Sequence, residues 1–155
     1  MSIQVTAKIL TLDEFLQQPE TEPASEYIDG QIIQKPMPQG KHSIVQGELV
    51  TAINVVVKPK RLARAFPELR CTFGERSTVP DVAVFVWSRI PRDEKGEVAN
   101  AFEIAPDWTI EILSPESTKA SLAKWMRRIP FFRVAVQFVT DGSYVIAFKA
   151  PKTSR

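Results

Sequence analysis

Two short apolar runs each carry a single carboxylate, and this pairing constrains the chain more than any other feature. Pro80-Asp81-Val-Ala-Val-Phe-Val86 is apolar throughout after its opening acid, and Trp108-Thr-Ile-Glu-Ile-Leu113 alternates around Glu111. Runs of this length and composition read as strands, and the unbroken apolarity of the first marks a central strand covered on both faces. A carboxylate inside such a pattern has to be paired, hydrogen-bonded or bound to a cation, because burying it alone is costly. If the two strands are neighbours, Asp81 and Glu111 converge on one point, and two carboxylates with several waters are what Mg²⁺ favours. On spacing alone a second reading stays open for Glu111, since alternation equally permits it to face solvent on a half-exposed strand.

The rest of the chain supplies elements to surround these strands. Thr11-Leu-Asp-Glu-Phe-Leu16 opens as a short helix with a capping box, Thr11 paired with Glu14 three residues later. Glu26 to Ile33 is a hairpin around Asp29-Gly30, a dipeptide suited to a turn with positive φ. From Lys41 to Val57, Val45, Leu49, Ala52, Ile53 and Val56 recur at helical spacing, which predicts an amphipathic helix stopped by Pro59. Leu69 to Phe73 alternates as a further strand, and Ser88 to Pro106 is a polar stretch that reads as a surface loop. Ser117 to Ile129 can form a basic helix ended by Pro130, and a second hairpin turns at Asp141-Gly142. Helices and strands in this order predict an α/β (α+β) domain, a mixed sheet flanked by helices, filling residues 1–155 as one unit.

Composition excludes several classes. The 155 residues are 44% hydrophobic and 25% charged, values of a globular chain and not of a disordered or fibrous one. No apolar run is long enough to span a bilayer, and the first residues lack a secretory signal pattern, so a cytoplasmic protein is expected. The single cysteine, Cys71, allows no intramolecular disulfide, and its alternating apolar neighbours suggest an inert buried thiol. The net charge of +2 conceals an asymmetry: eight basic residues against one acid from Ser117 onward, a net +7, follow a net −5 in residues 1–116. A second basic cluster, Lys58-Pro-Lys-Arg-Leu-Ala-Arg64, carries no acid. Such patches suit a polyanion, although at a net charge of +2 ordinary solvated surface is the favoured reading of charge alone.

Pro80-Asp81 followed by Glu111-Ile-Leu-Ser-Pro115 resembles the core of the PD-(D/E)XK nuclease superfamily. The wider string is similar to one branch, the Uma-two family of bacterial restriction-type endonucleases. The matching pieces are Glu26-Tyr-Ile-Asp-Gly30, Met37-Pro-Gln-Gly-Lys-His42, Val79-Pro-Asp-Val-Ala-Val84, Trp108-Thr-Ile-Glu-Ile-Leu-Ser-Pro115 and Phe138-Val-Thr-Asp141. The resemblance implies a restriction-endonuclease-like fold with Mg²⁺ (or Mn²⁺) held by Asp81, Glu111 and the backbone carbonyl of Ile112. The implied partner is DNA, cleaved at its phosphodiesters by in-line attack of water activated at the metal, with phosphate charge stabilised by the metal and a lysine. Restriction-type nucleases often act as homodimers, since cutting two strands needs two sites.

The third motif position, usually lysine, is Leu113 here, and this branch draws its lysine from the following helix, where Lys124 is the nearest candidate. Pro130 shortens that helix relative to the family, Arg133 stands near a family glycine, and the chain ends early after the last hairpin. The family pattern also places His42 beside the metal as an accessory ligand or proton-transfer group, against the plainer reading of a histidine at the edge of the core. Glu26 is either an exposed strand-end acid or, as the family implies, a third acid near the site, and Gln46 could line the same pocket. Ser114 has no second histidine or nucleophile elbow to support it and is a helix cap or an orienting group for Glu111. Two functions remain distinct: a metal-dependent endodeoxyribonuclease, and a catalytically degenerate relative acting as a nucleic-acid-binding or interaction module.

Overall fold

The computed structural model describes residues 10–113, 135–140 and 143–149. The basic stretch 117–129 with Lys124, and the Asp141-Gly142 turn, lie outside the described residues. The elements run α1 (Leu12–Leu16), β1 (Ser25–Ile28), β2 (Gln31–Gln34), α2 (Gly40–Val57), β3 (Ala63–Pro67), β4 (Cys71–Phe73), β5 (Arg76–Thr78), β6 (Val82–Val86), β7 (Trp108–Leu113), β8 (Ala135–Thr140) and β9 (Ser143–Lys149). A 3₁₀ turn at Trp87–Arg89 follows β6.

The local signals explain the first elements. Thr11 Oγ1 accepts from the Glu14 N–H at 3.2 Å while Glu14 Oε2 accepts from the Thr11 N–H at 2.9 Å, closing the capping box of α1. Asp29 and Gly30 both take left-handed backbone, φ 51° and 77°, which is the two-residue turn that closes a β1–β2 ribbon with Ile28 opposite Gln31.

The strands are sorted into two sheets, β2-β1-β5-β4 and β3-β6-β7-β9-β8. Every ladder between these strands is antiparallel, and among the described residues parallel pairing occurs as an isolated bridge between Cys71 and Phe102. The apolar run 82–86 is flanked by β3 and β7, as expected of a central strand, and its side chains split between two cores. Val82 and Val84 join Ala65, Ile110, Ile112 and Ala147 under α2, whereas Ala83 and Phe85 pack with Cys71, Ile90 and Phe102 on the opposite face. The stretch expected to be a polar loop thus contributes Ile90 and Phe102 to the second core. There Phe85, Phe102 and Phe66 meet edge to face with centroids 5.0–6.0 Å apart. Cys71 is fully enclosed, and burial pushes its thiol pKa up to about 12.

Helix α2 covers the first core with the expected face, rotated at one edge. Val45, Leu49, Val50 and Ile53 pack inward, but Ala52 and Val56 are exposed. The inward line is shifted because two polar residues occupy it, Gln46 and Asn54. The Asn54 side chain accepts from the Ala65 N–H at 2.9 Å and donates to the Ala65 carbonyl at 3.0 Å. Ala65 lies on β3, the edge strand, so Asn54 takes the place of a missing neighbouring strand and closes the edge there.

Losing both bonds would leave two backbone groups of a residue only 3% exposed without partners. Asn54→Ala is expected to cost about 2–3 kcal/mol of stability. Urea unfolding checks this; a loss below about 0.5 kcal/mol would show that water replaces the side chain freely.

Candidate active site

Strand register brings the two carboxylates together. Val82 pairs with Ile110 and Ala83 with Thr109, so one further step sets Asp81 opposite Glu111. Ile110 and Ile112 belong to the core under α2, which turns Glu111 toward the other face of the sheet. Glu111 is 5% exposed and Asp81 is 4% exposed, so the solvent-facing reading of Glu111 is excluded.

Lys35, helix α2, the main chain of β7 and strand β1 all contribute to the surroundings of this pair. Lys35, one residue past β2, donates from Nζ to the Val79 carbonyl at 2.6 Å and to Asp81 Oδ1 at 2.9 Å, and lies 3.8 Å from Glu111 Oε2. From the first turns of α2, His42 Nε2 stands 3.1 Å from Asp81 Oδ2, and Gln46 Nε2 donates to the Asp81 carbonyl at 2.8 Å. The Ile112 N–H of β7 donates to Asp81 Oδ2 at 2.8 Å. Glu26 on β1 is buried, which removes the exposed-acid reading. Its Oε1 accepts from the Val79 N–H at 2.8 Å and fixes the segment leading into Pro80-Asp81.

The structure therefore collects Asp81, Glu111, His42, Glu26 and Gln46 in one place, and Lys124 lies outside the described residues. Lys35 is a residue that periodicity and motif spacing do not single out. A usable signal is present: the Asp29-Gly30 turn fixes a register in which Glu26 faces Ile33 and Ala24 faces Lys35, so Glu26 and Lys35 share one face of the ribbon. The basic cluster at Lys58–Arg64, by contrast, begins at the far end of α2. Lys58 stands sixteen positions beyond His42 along the helix, about 24 Å, so the start of the cluster does not line this site.

The electrostatics follow from this packing. Burial would raise the Asp81 pKa, but the hydrogen bonds from His42 and the Ile112 N–H and the Lys35 charge outweigh it and hold Asp81 at about 2. For Glu111, burial together with the charge and hydrogen bond of Asp81 alongside outweighs the more distant ammonium and pushes its carboxyl well above the usual carboxylate range. Glu26 is likewise raised by burial, which the Lys35 charge and the Val79 N–H only partly offset. For Lys35 burial acts downward, yet Glu111 and Asp81 together hold the ammonium above the ordinary lysine value.

Among the described residues no three of His, Cys, Asp and Glu converge as a ready metal cage. The space between Asp81 and Glu111 nevertheless suits a cation, because an ammonium already stands there. His42 Nδ1 is buried with no hydrogen-bond partner among the described residues, leaving one polar atom beside the pair open to a further group. Two carboxylates completed by water match Mg²⁺ better than a metal that needs an all-protein shell.

Residues 12–127 match the Uma2 family, described as "Putative restriction endonuclease", a span that includes every candidate above. The chain belongs to this family. A solved structure, described as a "putative nuclease belonging to DUF820" from Anabaena variabilis ATCC 29413, is 69% identical with a TM-score of 0.70. The match covers 76% of this chain and 66% of that one, so the chain spans just under two thirds of that protein's length. No curated protein matches. The two sheets with α2 across the larger one are this family's restriction-endonuclease-like α/β fold. Among the described residues no helix is long and apolar enough to cross a membrane.

A carboxyl whose folded pKa lies above its unfolded value, 4.5 for Glu111, stabilises the fold below that value and loses the contribution as pH rises. Glu111→Gln removes the titration while keeping the shape. In metal-free buffer its thermal midpoint is expected to exceed the parent's at pH 8 by about 2 °C or more, with the gap closing near pH 4. Equal midpoints at pH 8 would mean that Glu111 is not penalised by burial.

Proposed function

We propose that the chain is a divalent-metal-dependent endonuclease that hydrolyses DNA phosphodiester bonds. The observation that carries this reading is the cross-strand placement of Asp81 and Glu111 around a position already held by a positive charge. Family membership supports the reaction class, and the donor chemistry supports Mg²⁺, with Mn²⁺ as a substitute.

In this reading Asp81 and Glu111 hold the cation. The Ile112 carbonyl adds a third oxygen, since in a strand the C=O and N–H of one residue point to the same edge, and this N–H points at Asp81. Bound there, Mg²⁺ would supply Lewis-acid stabilisation of charge on a phosphodiester. His42 orients the Asp81 carboxylate through Nε2 and can pass a proton at the exposed edge of the site. Glu26 and Gln46 act through the backbone, Glu26 on the Val79 N–H and Gln46 on the Asp81 carbonyl, and so fix where the Asp81 side chain begins. Lys124 stays the lysine that the family pattern implies for phosphate. Nothing among the described residues supports the homodimer expectation.

A second reading is favoured by one specific observation. Both Asp81 oxygens are already engaged by Lys35, His42 and the Ile112 N–H, so the pair is satisfied without a metal, as in a relative that keeps the fold for binding alone. Nicking of supercoiled plasmid in Mg²⁺ or Mn²⁺ separates the two. The nuclease reading expects metal-dependent nicking that falls at least about a hundredfold in Asp81→Asn and in Glu111→Gln. Salt-sensitive DNA binding without nicking would establish the binding module, and nicking that survives both substitutions would move the chemistry elsewhere.

A further inference from the structure

Lys35 Nζ makes its contacts entirely with oxygen: the Val79 carbonyl, Asp81 Oδ1 and, at longer range, Glu111 Oε2. Its side chain is 14% exposed, so the ammonium depends on these partners more than on bulk water. The group occupies the position that a cation shared by Asp81 and Glu111 would take, and two positive centres cannot both remain there against their mutual repulsion. A lysine can yield the position because its charge is a point at the end of a flexible four-carbon stem. The backbone beneath it stays fixed by the Lys35 N–H bond to the Ala24 carbonyl at 2.9 Å and by Pro36. Arg70, whose charge also acts on Glu26, is committed to Glu20, Ser25 and Ser77.

We propose that Lys35 is the built-in counter-ion of the Asp81–Glu111 pair: it holds the cation position in the metal-free chain, and a divalent cation binds only by displacing its ammonium. The inference rests on the reading of Asp81 and Glu111 as a cation site. It makes Lys35 a positioning residue that keeps two buried carboxylates together before loading and sets how tightly the metal is taken up.

The test reads metal binding and lysine accessibility, not cleavage. Mn²⁺ binding is measured by calorimetry on the wild-type chain, Lys35→Met, Lys35→Arg and Asp81→Asn. In parallel, the wild-type chain is briefly acetylated with an N-hydroxysuccinimide ester, with and without saturating Mg²⁺, and each lysine is quantified by peptide mass spectrometry. Lys35→Met is expected to bind Mn²⁺ roughly fivefold tighter or more, Lys35→Arg to stay near wild type, and Asp81→Asn to lose the site. Acetylation of Lys35 is expected to rise several-fold with Mg²⁺, roughly in step with loading, while Lys58 and Lys60 at the far end of α2 stay constant. If wild type binds the metal but Lys35 reactivity does not change, or Lys35→Met binds no tighter, the counter-ion role is overturned and the cation site stands. If neither wild type nor Lys35→Met binds Mn²⁺, the cation site itself is overturned. Should Lys35→Met fail to fold, acetylation of the wild-type chain decides alone.

Discussion

The Asp81 carboxylate is the point on which the arrangement depends. It receives Lys35 from beyond β2, His42 from α2 and a main-chain N–H from β7, while its own carbonyl receives Gln46. Each hydrogen bond to a charged group contributes about 1.5–3 kcal/mol. Their larger effect is geometric, because they tie both sheets and the helix to one side chain. Removing that charge would leave the ammonium of Lys35 buried beside Glu111 alone, the situation in which a broken buried pair is most destabilising. Two further bonds from the small sheet anchor the segment that delivers Asp81, Glu26 on the Val79 N–H and Lys35 on the Val79 carbonyl.

The larger sheet separates two kinds of chemistry by alternation. Ile110 and Ile112 face α2 and the apolar core, while Glu111 between them faces the carboxylate cluster. One strand therefore serves as core wall and site wall at once, which is possible only because its side chains alternate at a period of two. On the site side three buried acids share one ammonium, an arrangement that favours neither full ionisation nor full neutrality. Opposed shifts on neighbouring carboxyls, Asp81 downward and Glu111 upward, mark sites shaped for binding or catalysis more often than for stability.

Much of this was legible in the residues, for identifiable reasons. Asp81 and Glu111 stand out because a charge in an apolar strand has few explanations, and the Asp29-Gly30 turn because few dipeptides tolerate two left-handed residues. Strands β3 and β5 were not legible: Ala63–Pro67 reads as the end of a basic cluster, and Arg76–Thr78 is three residues with a charge. The inner face of α2 was legible at Val45, Leu49 and Ile53 but not at its edge, because counting apolar residues cannot see that Asn54 is turned inward by the backbone of Ala65 on a distant strand. Lys35 escaped for a related reason. A lysine after a polar strand looks like surface, and only the demand of three buried acids for a counter-charge, visible once the sheets are assembled, draws it in.

Cys71 lies on the far side of β6 from α2, enclosed by Phe85, Phe102 and Ile90, with a thiol that stays protonated well beyond neutral pH. Thiol reagents attack the ionised form and need access to it, and the native chain denies them both. The only sulfhydryl of the sequence is therefore chemically silent as long as the second core is intact. A cysteine placed by design at any exposed position would be the sole addressable one, so a single spin label or fluorophore could report motion between the two sheets without first deleting a native residue.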